Sequence, residues 1–196
     1  MATKSEGRPR DESISHAILQ SAIRRMETEG FGKLTVDGIV KDVGTTRQTF
    51  YRRYGSTAEL ALEVISDRFS YAPPLDTGTL QNDLLSLQRQ DIAMMSSALI
   101  RKNLPGLIGA MQTNPTARRR YFEDIVAPKK LRIRSVLTRA EERGEIDSVT
   151  VDVGFLCDLL FGPLLSRTLL PSDYPLDDQL ARSTVSAALL AIEHSY

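Results

Sequence analysis

A series of closely spaced helix starts and stops over residues 34–62 constrains the fold more than any other stretch of the chain. Thr35 is a favourable N-cap for a short helix, and Gly44 ends that helix because glycine adopts positive φ without a steric cost. Thr45 or Thr46 then caps a second, very short helix. Two short helices joined by a glycine-containing turn are typical of a helix-turn-helix. This stretch therefore predicts a compact helical unit.

Further helices are predicted on both sides of the motif. The apolar residues of segment 13–29 fall on one face of a helix, which Gly30 ends. Ser56 and Glu59 form a capping box, so another helix begins there and extends to about Phe69. The N-terminal part of the chain is therefore predicted to be entirely helical.

The composition fits a globular protein of ordinary polarity. Of the 196 residues, 41% are hydrophobic and 26% are charged, and the formal net charge is zero. The whole-chain charge therefore indicates neither nucleic acid nor membrane, and only local charge is informative. The single cysteine, Cys157, excludes an internal disulfide and favours a reducing compartment. We see no apolar leader, and the apolar run 153–165 is too short to span a bilayer, so we expect a cytoplasmic protein with no membrane partner.

The second short helix of the motif has a basic surface. Phe50 and Tyr54 lie four residues apart and can both face inward. The other side chains cannot all be buried: Arg47, Gln48, Thr49, Arg52 and Arg53. Residues 44–54 contain three arginines and no acid, and Arg and Gln are the side chains that pair bidentately with guanine and adenine. We interpret this surface as a DNA-reading helix. The alternatives are a solvated face and, for Gln48 alone, a capping box with Thr45.

Residues 10–65 resemble the DNA-binding domain of the TetR (tetracycline-repressor) family. The resemblance is carried by the string GTTRQTFYRRYGSTAEL, preceded by LTVDGIVKDV and by a helix ending in EGF. It implies that Thr46, Arg47 and Gln48 face base edges, with Thr49 beside them.

The same resemblance implies contacts with the DNA backbone. Tyr51 and Arg53 would bind phosphates, and Thr35 would add a third contact. Thr57 stands where the family often has lysine, which leaves that contact open, with Arg52 as a candidate to replace it. The implied DNA-binding residues are Thr35, Thr45, Thr46, Arg47, Gln48, Thr49, Tyr51, Arg52, Arg53 and Thr57.

A break containing two prolines at residues 71–74 ends these helices, because the residue before a proline is disfavoured in a helix. We place the domain boundary there. The expected organisation is a flexible basic arm at residues 1–10, a helix-turn-helix DNA-binding domain at 11–72, and a C-terminal effector-binding and dimerisation domain at 73–196. The arm is interpreted as a disordered tail that can also order against DNA. The fold class is all-α, with an N-terminal three-helix domain and about nine helices in total.

Prolines are expected to divide the C-terminal helices. A helical pattern covers residues 80–100, and Pro105 is predicted to open a short helix. Pro128 is predicted to bend a longer helix that starts at Pro115. The basic runs at 118–120 and 129–130 are predicted to be solvated.

The family resemblance implies an effector pocket among these helices, for a small apolar or amphipathic ligand. Met95 and Met111 are flexible side chains for which core packing and pocket lining both remain open. The pocket residues that we expect are Met95, Leu99, Leu107, Met111, Phe122, Ile125, Phe155 and Leu159.

The last two helices are expected to pair with a second copy of the chain. Residues 151–170 are too apolar on all sides for a surface helix, and residues 177–194 carry a stripe of small side chains. A two-fold symmetric copy is a good candidate for their partner. The resemblance agrees, because the family pairs these helices in a four-helix bundle, and Gly162-Pro163 is similar to one C-terminal subgroup. The expected interface residues are Leu160, Leu164, Arg167, Thr184, Ala187, Ala188 and Ala191.

No nucleotide-binding loop, nucleophile elbow or HExxH motif occurs, and neither His16 nor His194 has a ligand partner at position i+4. We therefore expect no enzymatic activity, no cofactor and no metal. The leading hypothesis is a repressor that binds a palindromic operator as a dimer and is released by a small molecule. The second is a DNA-binding regulator or activator without an effector. The third is an enzyme or lipid-binding protein in which the helix-turn-helix is a relic.

Overall fold

The structure, a computed structural model, describes residues 8–69, 74–147, 151–170 and 173–194. Every regular element in these ranges is helical, which confirms the all-α fold class. The α-helices are α1 (Arg8–Thr28), α2 (Val36–Val43), α3 (Arg47–Tyr51), α4 (Thr57–Arg68), α5 (Leu80–Ser96), α6 (Ala98–Thr113), α7 (Pro115–Tyr121), α8 (Ala127–Glu142), α9 (Val153–Leu169) and α10 (Asp178–Glu193). A 3-10 turn covers Phe31–Lys33, and a π-helical segment covers Phe122–Val126. None of the helices in the described ranges is long and apolar enough to cross a membrane.

The chain divides into two compact units, and each is described by itself. The first unit is formed by Met1–Arg68 and Lys102–Tyr121, and the second by Phe69–Arg101 and Phe122–Tyr196. The first unit thus includes a segment well beyond residue 72, where the DNA-binding domain was expected to end. Helix α1 begins at Arg8, inside the expected basic arm, and residues 1–7 lie outside the described residues.

Local interactions fix both ends of α2. Thr35 Oγ1 accepts a hydrogen bond from the Gly38 N–H at 3.1 Å, and Gly44 ends the helix in the left-handed conformation, with φ 68° and ψ 38°. Leu34 and Ile39 are buried on either side of the N-cap, as in a hydrophobic staple. The predicted cap and stop of α2 are confirmed.

Charged side chains join α1 to α2. Arg25 donates from Nε and Nη2 to the two carboxylate oxygens of Asp42 at 2.8 and 2.9 Å, and the Ser21 hydroxyl donates to the same carboxylate at 2.8 Å. These hydrogen bonds, from Arg25 first and then Ser21, lower the pKa of Asp42 to about 2. The buried face of α1 includes Ile18, Ala22 and Met26.

The part of α6 that belongs to the first unit begins at Lys102 and packs against the C-terminal end of α1. Lys102 Nζ donates to the carbonyl oxygens of Glu27 and Thr28 at 2.7 and 3.0 Å, and the buried Asn103 amide donates to that of Met26 at 3.0 Å. The last carbonyl groups of a helix have no partner within the helix. Two side chains from a distant segment therefore bind the end of α1.

Helix α7 is attached to α4 within the same unit. Asn114 Oδ1 caps α7 by accepting from the Ala117 N–H at 3.0 Å, and the Asn114 amide donates to Ser56 Oγ at 3.1 Å. Arg120 pairs with Glu63 of α4 at 3.2 Å. Helix α4, which follows α3, is therefore held by contacts with α7 and its N-cap.

In the second unit, α5 packs against α8, α9 and α10. The buried Gln88 of α5 joins two of these helices, because its amide donates to the Leu160 carbonyl at 2.6 Å and to Thr184 Oγ1 at 2.8 Å. Large side chains that are fully buried in this unit include Leu84, Met95, Leu137, Leu156 and Leu164.

Lys129 corrects one prediction, since it is not solvated. Its ammonium group pairs with the buried carboxylate of Asp91 at 2.8 Å and lies 3.5 Å from the centroid of the Phe161 ring. Burial lowers the pKa of Lys129. The run of two lysines in the sequence gives no sign that Lys129 has a buried partner on another helix. The neighbouring Lys130 is exposed, as expected.

Pro105 also departs from the prediction. It lies inside α6, which begins seven residues earlier at Ala98. The start is fixed by Ser97, whose Oγ accepts from the Ile100 N–H at 3.3 Å. The helical pattern over residues 80–100 is therefore two helices. Pro128 was predicted to bend one longer helix, but the π-helical segment Phe122–Val126 separates α7 from α8, and Pro128 is the second residue of α8.

Candidate nucleic-acid interface

Thr46 is the residue that starts α3. Its Oγ1 accepts from the Thr49 N–H at 3.2 Å and lies 3.1 Å from the Thr49 hydroxyl. Thr45 belongs to the turn, where its N–H donates to the Val40 carbonyl at 3.0 Å. Thr49, not Gln48, is thus the third residue of the helix. The alternative that placed Gln48 in a capping box with Thr45 is excluded.

The inner side of α3 is anchored by aromatic residues. Phe50 is fully buried and Tyr54 is 4% exposed, with 5.6 Å between their ring centroids. The Tyr54 hydroxyl donates to the Glu63 carboxylate at 2.8 Å. Burial, together with this hydrogen bond, raises the pKa of Tyr54, so the phenol stays protonated at neutral pH. The inward packing predicted for this pair is confirmed.

The outer side of α3 and the residue that follows it present polar side chains to solvent. Arg47, Gln48, Tyr51 and Arg52 are all exposed, and Tyr51 is 55% exposed. Within the described part of the chain, neither the Gln48 amide nor the Tyr51 hydroxyl has a hydrogen-bond partner. Both groups are therefore available to an external ligand.

Arg47 is paired with Asp37 in the first turn of α2. Its Nε and Nη2 donate to the two carboxylate oxygens at 2.5 Å, although the side chains are 66% and 64% exposed. The hydrogen bonds from Arg47 lower the pKa of Asp37, and they raise the pKa of Arg47. Residues 44–54 contain no acid, but the fold supplies one from the preceding helix.

Arg53 connects α3 to α1. Its Nε donates to Ser15 Oγ at 2.7 Å, and its Nη1 donates to the Thr49 carbonyl at 2.9 Å. The side chain is half-buried. The structure therefore gives Arg53 a role inside the protein, and its contact with phosphate stays a prediction.

Two threonines at helix starts lie among the expected phosphate contacts. Thr35 is exposed, and since its oxygen accepts from Gly38, its hydroxyl hydrogen remains available for donation. Thr57 is half-buried at the first position of α4. The predicted cap of α4 by Ser56 is confirmed, because Ser56 Oγ accepts from the Glu59 N–H at 3.2 Å, and the Glu59 carboxylate accepts in turn from the Gly55 N–H at 3.2 Å.

The residues expected to line an effector pocket do not share one environment. Leu107 and Met111 belong to the first unit and the other six to the second. Met95 is fully buried, whereas Phe122 and Phe155 are 53% and 51% exposed. Of the remaining three, Leu99 is buried, and Ile125 and Leu159 are half-buried. The pocket stays a prediction.

The second unit contains an open cleft of about 400 Å³ at the start of α9. It shares no residue with the expected effector pocket. Its lining is largely polar: Lys130, Arg134, Thr138, Glu141, Val151, Asp152, Val153 and Gly154.

Four of the residues expected at a dimer interface are buried inside the second unit: Leu160, Leu164, Thr184 and Ala188. Arg167 and Ala191 are half-buried, and Ala187 is exposed. A helix that is apolar on all sides does not reveal from its sequence which side faces its own core. The buried four are core residues of the protomer, and the solvent-facing sides of α9 and α10 instead carry Gly162, Pro163, Ala187 and Leu190.

Within the described residues, no group of three His, Cys, Asp or Glu side chains is placed to hold a metal ion. Cys157 is buried, and burial raises the pKa of its thiol.

A capped helix-turn-helix with an exposed polar recognition helix defines a DNA-binding regulator. Residues 18–64 match the family described as bacterial regulatory proteins, tetR family, and residues 74–188 match the tetracyclin repressor-like C-terminal domain. The chain therefore belongs to the TetR family of transcriptional regulators.

Individual relatives agree over nearly the whole chain. The DNA-binding transcriptional repressor TetR of Mycobacteroides abscessus is 30% identical over 93% of this chain and 95% of its own. The uncharacterized HTH-type transcriptional regulator YdeS of Bacillus subtilis is 26% identical over 95% of this chain and 93% of its own. The crystal structure of the TetR family transcription regulator SCO0332 is similar, with a TM-score of 0.70 at 29% identity, covering 92% of this chain and 98% of that one.

Proposed function

We propose that this protein is a repressor that binds a palindromic operator as a homodimer and is released by a small molecule. The observation that carries the DNA-binding part is the start of α3, where Arg47 and Gln48 are exposed and Phe50 anchors the helix from behind. The assignment as a repressor is supported by the name of the Mycobacteroides abscessus relative. Binding to chromosomal DNA places the protein in the cytoplasm.

The DNA contacts fall into two groups. Thr46, Arg47 and Gln48, with Thr45 and Thr49 beside them, would face base edges in the major groove. The expected phosphate contacts are Thr35, Tyr51, Arg52, Arg53 and Thr57. Base contacts give sequence preference, whereas phosphate contacts fix the position of the protein on the duplex.

A dimer would place two copies of α3 in successive major grooves, one helical turn apart. The exposed sides of α9 and α10 support this part of the proposal, because Leu190 is 57% exposed and Ala187, about one turn before it, is also exposed, so that α10 presents apolar side chains to solvent. In this arrangement α9 and α10 pair with their mates in a four-helix bundle. The subgroup suggested by Gly162-Pro163 stays a prediction.

Release by a ligand requires only that the ligand bind one conformation of the dimer better than the other. The proposed effector is a small apolar or amphipathic molecule, because the expected pocket residues are apolar. Its binding would favour a spacing of the two α3 helices that does not match the operator.

The direct test is a band-shift assay with the purified full-length protein and DNA that flanks its own gene. We expect retention of one short palindromic fragment in excess non-specific DNA, and loss of this selectivity in Arg47→Ala. A panel of metabolites is then added to the complex, and release by one of them supports the effector part. Absence of selective retention for any flanking fragment would contradict the whole proposal.

A regulator or activator without a small-molecule effector is the second candidate. It is favoured by the exposure of Phe122 and Phe155 and by the complete burial of Met95, since a ready apolar pocket would bring these side chains around one cavity. Selective operator binding that no metabolite changes would support this candidate over the first.

A further inference from the structure

We propose that Asp37 positions Arg47 to read a guanine and so determines the specificity of the operator contact. The inference rests on the DNA-binding function proposed above, and assigns a role to a residue outside the recognition helix.

The geometry of the pair leaves one edge of the guanidinium available. Asp37 accepts from Nε and Nη2 of Arg47, which form one side of the planar group. A guanidinium has five N–H donors in a fixed fork, so the two N–H groups of Nη1 and the second N–H of Nη2 remain. The outer edge, formed by Nη1 and Nη2, is the right size for the O6 and N7 acceptors of guanine. Arg47 can therefore bind the carboxylate and the base at the same time.

The two partners are attached to well-defined backbone positions. Asp37 lies in the first turn of α2, which Thr35 caps, and Arg47 is the first residue of α3, which Thr46 caps. An exposed arginine otherwise has many rotamers to lose on binding. The carboxylate limits this freedom before DNA arrives, so the cost of ordering Arg47 on the base is reduced.

The charge of Asp37 gives the proposal a distinctive signature. A carboxylate next to DNA repels phosphates and neutralises most of the positive charge of Arg47. Because non-specific affinity depends on neutralising phosphates, Asp37 lowers affinity for every sequence while it improves the reading of one base pair. Removal of Asp37 is therefore expected to raise affinity for non-specific DNA and to lower the preference of Arg47 for its guanine.

The experiment begins by assigning the base that Arg47 reads. Dissociation constants are measured for the operator and for each single base-pair variant, with the wild-type protein and with Arg47→Ala. One guanine preference, of about 5- to 100-fold, is expected to disappear in Arg47→Ala. Gln48→Ala is expected to affect a different base pair, which shows that the assignment is local.

Asp37→Ala and Asp37→Asn are then measured on the same set of DNAs. We expect the guanine preference of Arg47 to fall by at least about fivefold in Asp37→Ala, the lower end of the range for one bidentate contact. Preferences at the other positions should not change, and affinity for non-specific DNA should rise. Asp37→Asn keeps the size and one acceptor oxygen, so it should fall between the wild type and Asp37→Ala.

Glu27→Gln is the matched control for charge, because Glu27 is an exposed acid of the same unit. It should leave the guanine preference unchanged. In the Arg47→Ala background, Asp37→Ala should have no effect on discrimination, since the positioned side chain is absent. Thermal melts of each variant show that the fold is retained.

Three results would overturn the inference. Tighter binding of all DNAs by Asp37→Ala with an unchanged guanine preference would show that Asp37 only opposes the DNA charge. If Asp37→Ala bound every DNA with the same affinity as the wild type, the pair would have no role in binding. If Arg47→Ala altered no base preference while the wild type still selected an operator, Arg47 would not be a reader. A wild type without any sequence preference would instead contradict the proposed function itself.

Discussion

The ring of Tyr51 meets that of Phe50 edge-on, with 5.5 Å between the centroids, so the hydroxyl is the part of the side chain left for a phosphate oxygen. Tyr51→Phe removes only this hydroxyl. We expect affinity for the operator and for all its single-base variants to fall about equally, by about 1.5–3 kcal/mol, because a hydrogen bond to a charged group is lost and no base contact changes.

The measurement is a set of dissociation constants over the operator variants. Tyr174→Phe makes the same chemical change at another exposed tyrosine, which lies in the second unit, and should leave binding unchanged. A shift in the preferred base in Tyr51→Phe would mean that Tyr51 belongs with the base-reading residues.

For the side chains of α3, the sequence predicted exposure well and hydrogen-bond partners poorly. The polar, basic surface of α3 followed from residue types within one short segment. The carboxylate that binds Arg47 is ten residues away, and Ser15, which binds Arg53, is farther still. Such partners depend on how α1, α2 and α3 cross, which no local pattern contains.

At the scale of helices, Gly44 tests whether the left-handed conformation at the end of α2 requires glycine. Its φ of 68° lies in the left-handed region, and an added Cβ would meet nothing within 4 Å. Gly44→Ala should therefore destabilise the protein by about 1–2 kcal/mol through backbone strain alone, measured as the free energy of unfolding in urea.

Gly109→Ala is the matched control for this change. Gly109 lies inside α6, and an added Cβ there also meets nothing within 4 Å. The same substitution should stabilise the protein by about 0.5–1 kcal/mol, because alanine favours a helix over glycine. Destabilisation by both variants would contradict the assignment of the Gly44→Ala effect to the positive φ of Gly44.

The contact between α1 and α2 is expected to depend on pH. The pKa of Asp42 is about 2 in the folded protein, below its ordinary value of 3.8. The folded state therefore favours the carboxylate, and this stabilisation is complete above about pH 4 and is lost as the pH falls through about 2. Asp42→Asn should lower the Tm at pH 6, and the difference from the wild type should shrink towards pH 2. A difference that stays constant over this range would contradict the assignment.

The helices themselves show why some elements were predicted and others were not. The starts of α2 and α4 and the end of α2 follow from caps and a glycine within four residues of the boundary. Pro105 was misplaced because a proline is tolerated inside a helix once Ser97 has started it upstream. The buried side of α9 was not predictable, because α9 carries apolar side chains on all sides and its sequence pattern does not show which side faces the core.

For the whole molecule, the exposed side of α10 predicts the oligomeric state. Leu190→Glu places a charge in the proposed interface, where burial without a partner is unfavourable. We expect a dimer for the wild type and a monomer for Leu190→Glu, by sedimentation velocity at equal concentration. Leu131→Glu makes the same change at a leucine of α8 that is 66% exposed, and should remain dimeric. A dimeric Leu190→Glu would place the interface elsewhere.

The sequence predicted the all-α class and the position of the helix-turn-helix, because both depend on short-range patterns. It did not predict that Lys102 and Asn103 bind the end of α1. These two residues are more than seventy positions away from their acceptors, and in the sequence they are an ordinary polar pair. Long-range packing of this kind has no local signature.

The inclusion of residues 102–121 in the first unit has a consequence for biosynthesis. When residue 72 has just been translated, the carbonyl groups at the end of α1 still lack Lys102 and Asn103, which are not yet part of the chain. The first unit can complete its packing only after Tyr121 has emerged, when part of the second unit has already been made. The segment that carries the proposed DNA contacts is thus translated first, but the unit that contains it can be completed only after more than half of the polypeptide has been synthesised.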